Sequence, residues 1–157
     1  MEQVRAAAEE ASAIFASEGD RLRLALSLTL VRNAAESEGK YDDARSLEAD
    51  AEAIYRELGH TTGLSRVLNN RGYGELVLGN YEAAEALLRE SIALGPDRPA
   101  HVLLNLGLAL LGSGRPDEAR AAFGESLAEG ASAETPEEVL YALEGLASVA
   151  ASVPEDE

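Results

Sequence analysis

Apolar residues recur along this chain every three or four positions, and glycine interrupts them at nearly regular intervals. Leu24, Leu28 and Val31 stand at i, i+4 and i+7, which is one face of a helix. Gly39 ends that face, and "YDDARSLEADAEAIYREL" restarts it. Further on, "VLLNLGLALL" is broken at "GSGR" and followed by "PDEARAAFGESLA". Pro116 there falls in a first turn, where its missing N–H costs nothing. Asn80 is placed to cap the helix before Glu82. Thr135, Pro136 and Glu138 make a capping-box pattern with proline at the first helical position. No run alternates as a strand would, so the fold class is all-α.

The pattern repeats. "IFASEGDRLRLALSLTLVRNAAESEGKYDDA" from Ile14 aligns without a gap on "IYRELGHTTGLSRVLNNRGYGELVLGNYEAA" from Ile54, 40 residues on. Gly19 answers Gly59, Gly39 answers Gly79, Tyr41 answers Tyr81 and Ala44 answers Ala84. The next interval is 35, from Gly79 to Gly114 and from Ala84 to Ala119. Fixed periods of this size mark stacked repeats, in which one helix pair cannot bury its face alone. The spacing predicts about eight antiparallel helices in one domain over 1–157. A single second helix covers 1–18, helix pairs cover 20–58, 61–95 and 98–130, and a single first helix covers 136–152. At that last helix Leu143, Leu146 and Ala147 answer Leu103, Leu106 and Gly107.

The second pair carries Gly72, Gly79, Tyr81, Ala84, Leu88, Ser91 and Pro96 in order, and the third carries Gly107, Gly114, Pro116, Ala119, Phe123, Ser126 and Ala131. This succession of small, turn, aromatic and small residues resembles the tetratricopeptide repeat (TPR) family. The 40-residue spacing is also similar to the helical arms of bacterial LuxR-type and STAND regulators. The first pair departs from the family pattern: Arg32 stands at a small position and Glu48 at a large one, and the two could pair electrostatically. The resemblance implies a TPR-like α-solenoid in which small residues let paired helices approach closely.

Composition narrows the function classes. Of 157 residues, 46% are hydrophobic and only 4% aromatic, so the core is built from Ala, Leu, Ile and Val. The formal net charge is -16. That argues against nucleic acid, which needs clustered cations, and against anionic membrane. It favours a neutral or basic partner, or else serves only to keep an exposed surface soluble. There is no Cys, which excludes disulfides, thiol nucleophiles and thiolate metal sites. No apolar run reaches membrane length, and the acidic N-terminus is unlike a signal peptide; the chain reads as cytoplasmic. His60 and His101 sit in different junctions between helices, without the spacing of a metal site. The carboxylate pairs Asp42–Asp43 and Glu9–Glu10 read as solvated helix faces, and no Gly-Lys-Ser/Thr follows the glycines to make a P-loop. No catalytic residue, metal or cofactor is expected, and the chain does not read as an enzyme.

In the family that the chain resembles, the first helices of each pair line a concave face. Carried over, that face takes Asn33 and Glu36 from the first pair, and Arg66, Asn69 and Tyr73 from the second. The third adds His101, Leu104 and Leu108, and the last helix Tyr141 and Glu144. The implied function is a protein- or peptide-binding module, of the kind that serves as a sensory or docking arm of a bacterial regulator, for a neutral or basic partner with apolar anchors. The alternative is a structural element that self-associates through its terminal helices, with Val4, Ala8 and Ile14 on the first and Leu143, Leu146 and Val149 on the last.

Overall fold

The computed structural model describes residues 2–95 and 99–152, with positions 2 and 4 by backbone alone. The side chain of Val4 and the whole of Pro96 therefore lie outside the described residues. Among these residues there are eight α-helices and no strand: α1 (Glu2–Glu18), α2 (Arg21–Ser37), α3 (Tyr41–Leu58), α4 (Thr61–Val77), α5 (Tyr81–Ala93), α6 (Ala100–Gly112), α7 (Pro116–Ser132) and α8 (Pro136–Ser152). The expected pairs are α2 with α3, α4 with α5 and α6 with α7. The contacts gather into two compact units, Met1–Val67 and Leu68–Glu157. A repeat array is held by nearest-neighbour contacts and has no common centre, so such a division is physically natural.

The turns are nearly copies of one another. Gly19, Gly39, Gly59, Gly79 and Gly114 all have φ between +61° and +78°. After each, the next N–H reaches the carbonyl five residues back: Asp20 to Phe15, Lys40 to Ala35, His60 to Tyr55, Asn80 to Glu75 and Arg115 to Leu110, at 2.9–3.0 Å. This left-handed cap satisfies carbonyls that the helix end would otherwise orphan. The α7–α8 turn makes the same bond, Thr135 N–H to Gly130 O at 2.9 Å, but with Glu134 at φ +56°. The starts are less uniform. Asp20 caps α2 by accepting from Arg23 N–H at 3.0 Å. Asn80 makes no side-chain cap and donates instead to Glu75 Oε2 at 2.8 Å, because that carboxylate lies across the same turn. Thr135 and Glu138 bond each other directly, Oγ1 to Oε2 at 2.7 Å.

In the unit Met1–Val67, α2 packs against both α1 and α3. Its core is largely alanine, with Ala25, Ala34, Ala35, Ala44 and Ala51 buried beside Val31, Ile54 and Tyr55. Arg32 Nε stands 3.4 Å from Glu48 Oε1, with the two side chains 14% and 9% exposed. An ion pair thus joins α2 to α3 at the place where other pairs set a small residue against a large one. Nearer the surface, Arg5 of α1 bonds Glu9 and Glu38 at 2.7 and 2.8 Å. Those hydrogen bonds raise the Arg5 guanidinium above its ordinary range. Lys40, and then Arg5, hold the Glu38 carboxyl below its own.

In the unit Leu68–Glu157, α6 packs against α5, α7 and α8, and α7 against α8. The core gathers Ala84, Leu88, Val102, Leu106, Ala109, Leu110, Ala119, Phe123 and Val149. Phe123 is fully buried. A Cβ added at Gly107 would lie 2.5 Å from its ring, and one at Gly145 would lie 2.6 Å from it. The ring is therefore gripped between α6 and α8 where both lack a side chain. Gly72 does the same for Leu88, at 2.8 Å. Ser126, fully buried, donates to Ala100 O at 2.8 Å and so carries no unmet polar cost. On the outside, Arg115 bonds Glu118 at 2.6 Å and Glu85 at 2.7 Å. Burial would raise the Glu85 carboxyl, but hydrogen bonds from Arg89 and Arg115 outweigh it and hold the carboxyl below its ordinary range.

The terminal helices correct one expectation. Val149 and Ala8 are buried, whereas Leu143 is 48% exposed and Ile14 47%. Val149 shares its helical face with Ala142 and Gly145, all three turned to the core.

Three outcomes follow from this packing. Gly145→Ala drives a Cβ into the Phe123 ring and should destabilise the protein by about 1–3 kcal/mol in urea unfolding; Phe123→Leu in the same chain should recover part of that. Glu134→Gly relieves a left-handed residue and should raise stability by about 1 kcal/mol, seen as a higher melting temperature. Arg32→Ala and Glu48→Ala should each cost about 3 kcal/mol by stranding the partner, and the double variant should cost clearly less than their sum.

Candidate partner-binding face

The residues expected on the contact face fall into both units, and each group is described within its own. In the first unit Asn33, Glu36 and Arg66 are exposed. Asn33 and Glu36 are not idle surface groups. Arg32 donates to Asn33 Oδ1 at 3.1 Å and its Nη1 lies 3.0 Å from Glu36 Oε2. The Glu36 charge is thus largely spent on the arginine that also reaches Glu48. The same helix shows a leucine stripe at i, i+4 and i+8: Leu22, Leu26 and Leu30 are 37%, 42% and 56% exposed.

In the second unit the first helices are α6, α8 and the part of α4 from Leu68 on. Asn105 Nδ2 on α6 donates to Asn69 Oδ1 on α4 at 3.0 Å, and α6 packs directly on α8. This aligns three helices side by side. Asn69 was expected to face a partner. It is buried instead, because its amide is used to bridge the two helices. One turn on, Tyr73 is 54% exposed, and Val77 one turn further is 70% exposed. Leu108 on α6 is 40% exposed and Tyr141 on α8 is 52%. Leu104 is half-buried against the core cluster. Glu144 and His101 are exposed, with His101 Nδ1 3.5 Å from Glu138 Oε1 on α8.

His60 has a local task. Its Nδ1 accepts from Gly63 N–H at 3.0 Å, capping α4, and its ring lies 5.4 Å from that of Tyr55. Sequence reasoning missed Val77 and Leu78, which are 70% and 64% exposed at the end of α4. Their signal was present as two adjacent apolar residues before a turn glycine.

Gly72 faces Leu88 and Gly107 faces Phe123 across their helix pairs, and Gly79 and Gly114 turn the chain between helices. Residues 63–128 match the family model of the tetratricopeptide repeat. This stretch is tetratricopeptide repeat. It runs from the first turn of α4 into α7, and so takes in the helices that carry Arg66, Asn69, Tyr73, His101, Leu104 and Leu108. No curated protein matches the chain. Tetratricopeptide repeats serve as protein–protein interaction modules, which agrees in class with an exposed apolar face. Among the described residues no helix is long and apolar enough to cross a membrane.

Proposed function

We propose that this chain binds a protein or peptide through the row of Tyr73 and Val77 on α4, Leu104 and Leu108 on α6, and Tyr141 on α8. The observation that carries this reading is the exposure of large apolar side chains on three adjacent first helices, two of which, α4 and α6, lie in the stretch that matches the repeat family. Burying such groups is favourable at roughly 25 cal/mol per Å². A tyrosine supplies a large contact at low entropy cost, as binding hot spots do.

The partner on this reading is neutral or basic and carries apolar anchors. Glu137 and Glu144 on α8 border the row, and a net charge of -16 attracts cations at long range. A nucleic-acid or anionic-membrane partner is disfavoured for the same reason, since Arg89 and Arg115 are already paired with Glu85 and Glu118. The role is binding and not catalysis, with no metal or cofactor called for. His60 serves as a helix cap, and His101 lies at the surface. A docking arm of a larger bacterial regulator is the context that the 40-residue spacing favours.

Peptides selected against the protein from a random display library test the face. Tyr73→Ala should weaken the selected peptide by about 2 kcal/mol, roughly 30-fold, in calorimetric titration, and Glu144→Gln should mainly flatten the salt dependence. Because Tyr73 is more than half exposed, the melting temperature should stay within the small range of surface substitutions. Full affinity after Tyr73→Ala would place the binding face elsewhere.

A further inference from the structure

A second surface lies on the flank of α8. Leu140, Leu143, Ala147 and Ala150 follow one another at spacings of three, four and three, and all are exposed. That is the seam spacing of a helix meant to pack on another helix. The matching flank of α6, 40 residues earlier, shows what such a seam does when covered. Leu103 and Leu110, which answer Leu143 and Ala150, are 1% and 2% exposed. The α8 seam bears no charged residue, although α8 carries Glu137, Glu138 and Glu144 on its other positions.

The order of sizes along the seam decides what fits. Its two leucines lie at the N-terminal end and its two alanines at the C-terminal end. When two such helices run antiparallel about the level of residue 145, Leu140 meets Ala150 of the other copy, and Leu143 meets Ala147. Each contact then sets large against small, as Phe123 meets Gly107 and Gly145 inside the chain. A self-complementary patch of this kind generates a closed twofold pair. Another helix that could cover the seam, α1 of a second copy, fits less well. In repeat register it would oppose Ala147 with Ala8, small against small, where the internal pairs have Gly72 with Leu88 and Gly107 with Phe123.

We propose that two copies of this chain associate antiparallel through α8, with Leu140 and Leu143 of each seated on Ala150 and Ala147 of the other. One helix flank covers less than the roughly 800 Å² per partner of a standard interface, so the association is weak. Glu144 borders the seam near the twofold axis in both copies, and like charges there oppose pairing. Added salt screens them and strengthens it. Apart from Glu144, which borders both, the seam shares no residue with the proposed binding row, so Leu143→Glu and Tyr73→Ala test the two readings apart.

Sedimentation velocity on the whole chain from about 1 to about 300 µM, in low and in high salt, tests the pairing. The expected result is a monomer–dimer equilibrium that salt shifts toward dimer, with a Kd on the order of tens to hundreds of micromolar. Leu143→Glu should weaken it at least tenfold and leave the monomer's melting temperature nearly unchanged, while Ile14→Glu should have no effect. The chain has no Cys, so engineered thiols give the register even if Leu143→Glu fails to fold. A Leu143→Cys copy mixed with an Ala147→Cys copy should oxidise to the mixed dimer faster than either does with itself. A monomer throughout, equal sensitivity to Ile14→Glu, or preferred crosslinking of Leu143→Cys to itself would each overturn the proposal.

Discussion

The structure depends on how closely two helices can approach when one gives up its side chain at the contact. Phe123 shows the constraint most sharply. Its ring fills the space between α6 and α8 only because Gly107 and Gly145 leave that space empty. Leu88 against Gly72 is the same solution with a smaller knob. Close packing gains many weak dispersion contacts at once and tolerates no extra methyl. Two tyrosines are seated in the same way, Tyr55 over Gly63 and Tyr81 over Gly112.

The first unit meets the same demand by different chemistry. Arg32 and Glu48 stand where the second unit has glycine with leucine or phenylalanine. A buried ion pair must recover a desolvation cost that an apolar contact never incurs. Here the arginine gains further partners at Asn33 and Glu36, which lie on the exposed face of α2. Electrostatic support of the core and the polarity of the surface are thus coupled in that unit. In the second unit they are separate: the core is apolar, and the ion pairs of Glu85, Arg89, Arg115 and Glu118 lie outside it.

This difference bears on function. α2 pairs its polar groups with one another beside an exposed leucine stripe, whereas α4, α6 and α8 leave Tyr73, Leu108 and Tyr141 uncovered. The Asn69–Asn105 bridge contributes indirectly, because it ties α4 to α6 beneath the exposed row. On α8 two surfaces diverge from one helix. One side continues that row, and the other presents the leucine–alanine seam.

What the sequence by itself determined is local and periodic. Turn glycines 20 residues apart, at Gly19, Gly39, Gly59 and Gly79, set the helix bounds, because few other residues adopt a left-handed backbone cheaply. The large and small positions of Ala84, Ala119, Gly72 and Phe123 were legible for the same reason, since steric demands repeat with the period. The exposed placement of Tyr73, Leu108 and Tyr141 on first helices was legible too. Only the tertiary structure decided the fate of polar and terminal residues. Asn69 is inside because Asn105 happens to meet it, a partner 36 residues away that no period announces. Val149 is core while Leu143 is surface because a rotation of a few tens of degrees about α8, invisible in a count of apolar positions, chooses which stripe faces α6 and α7.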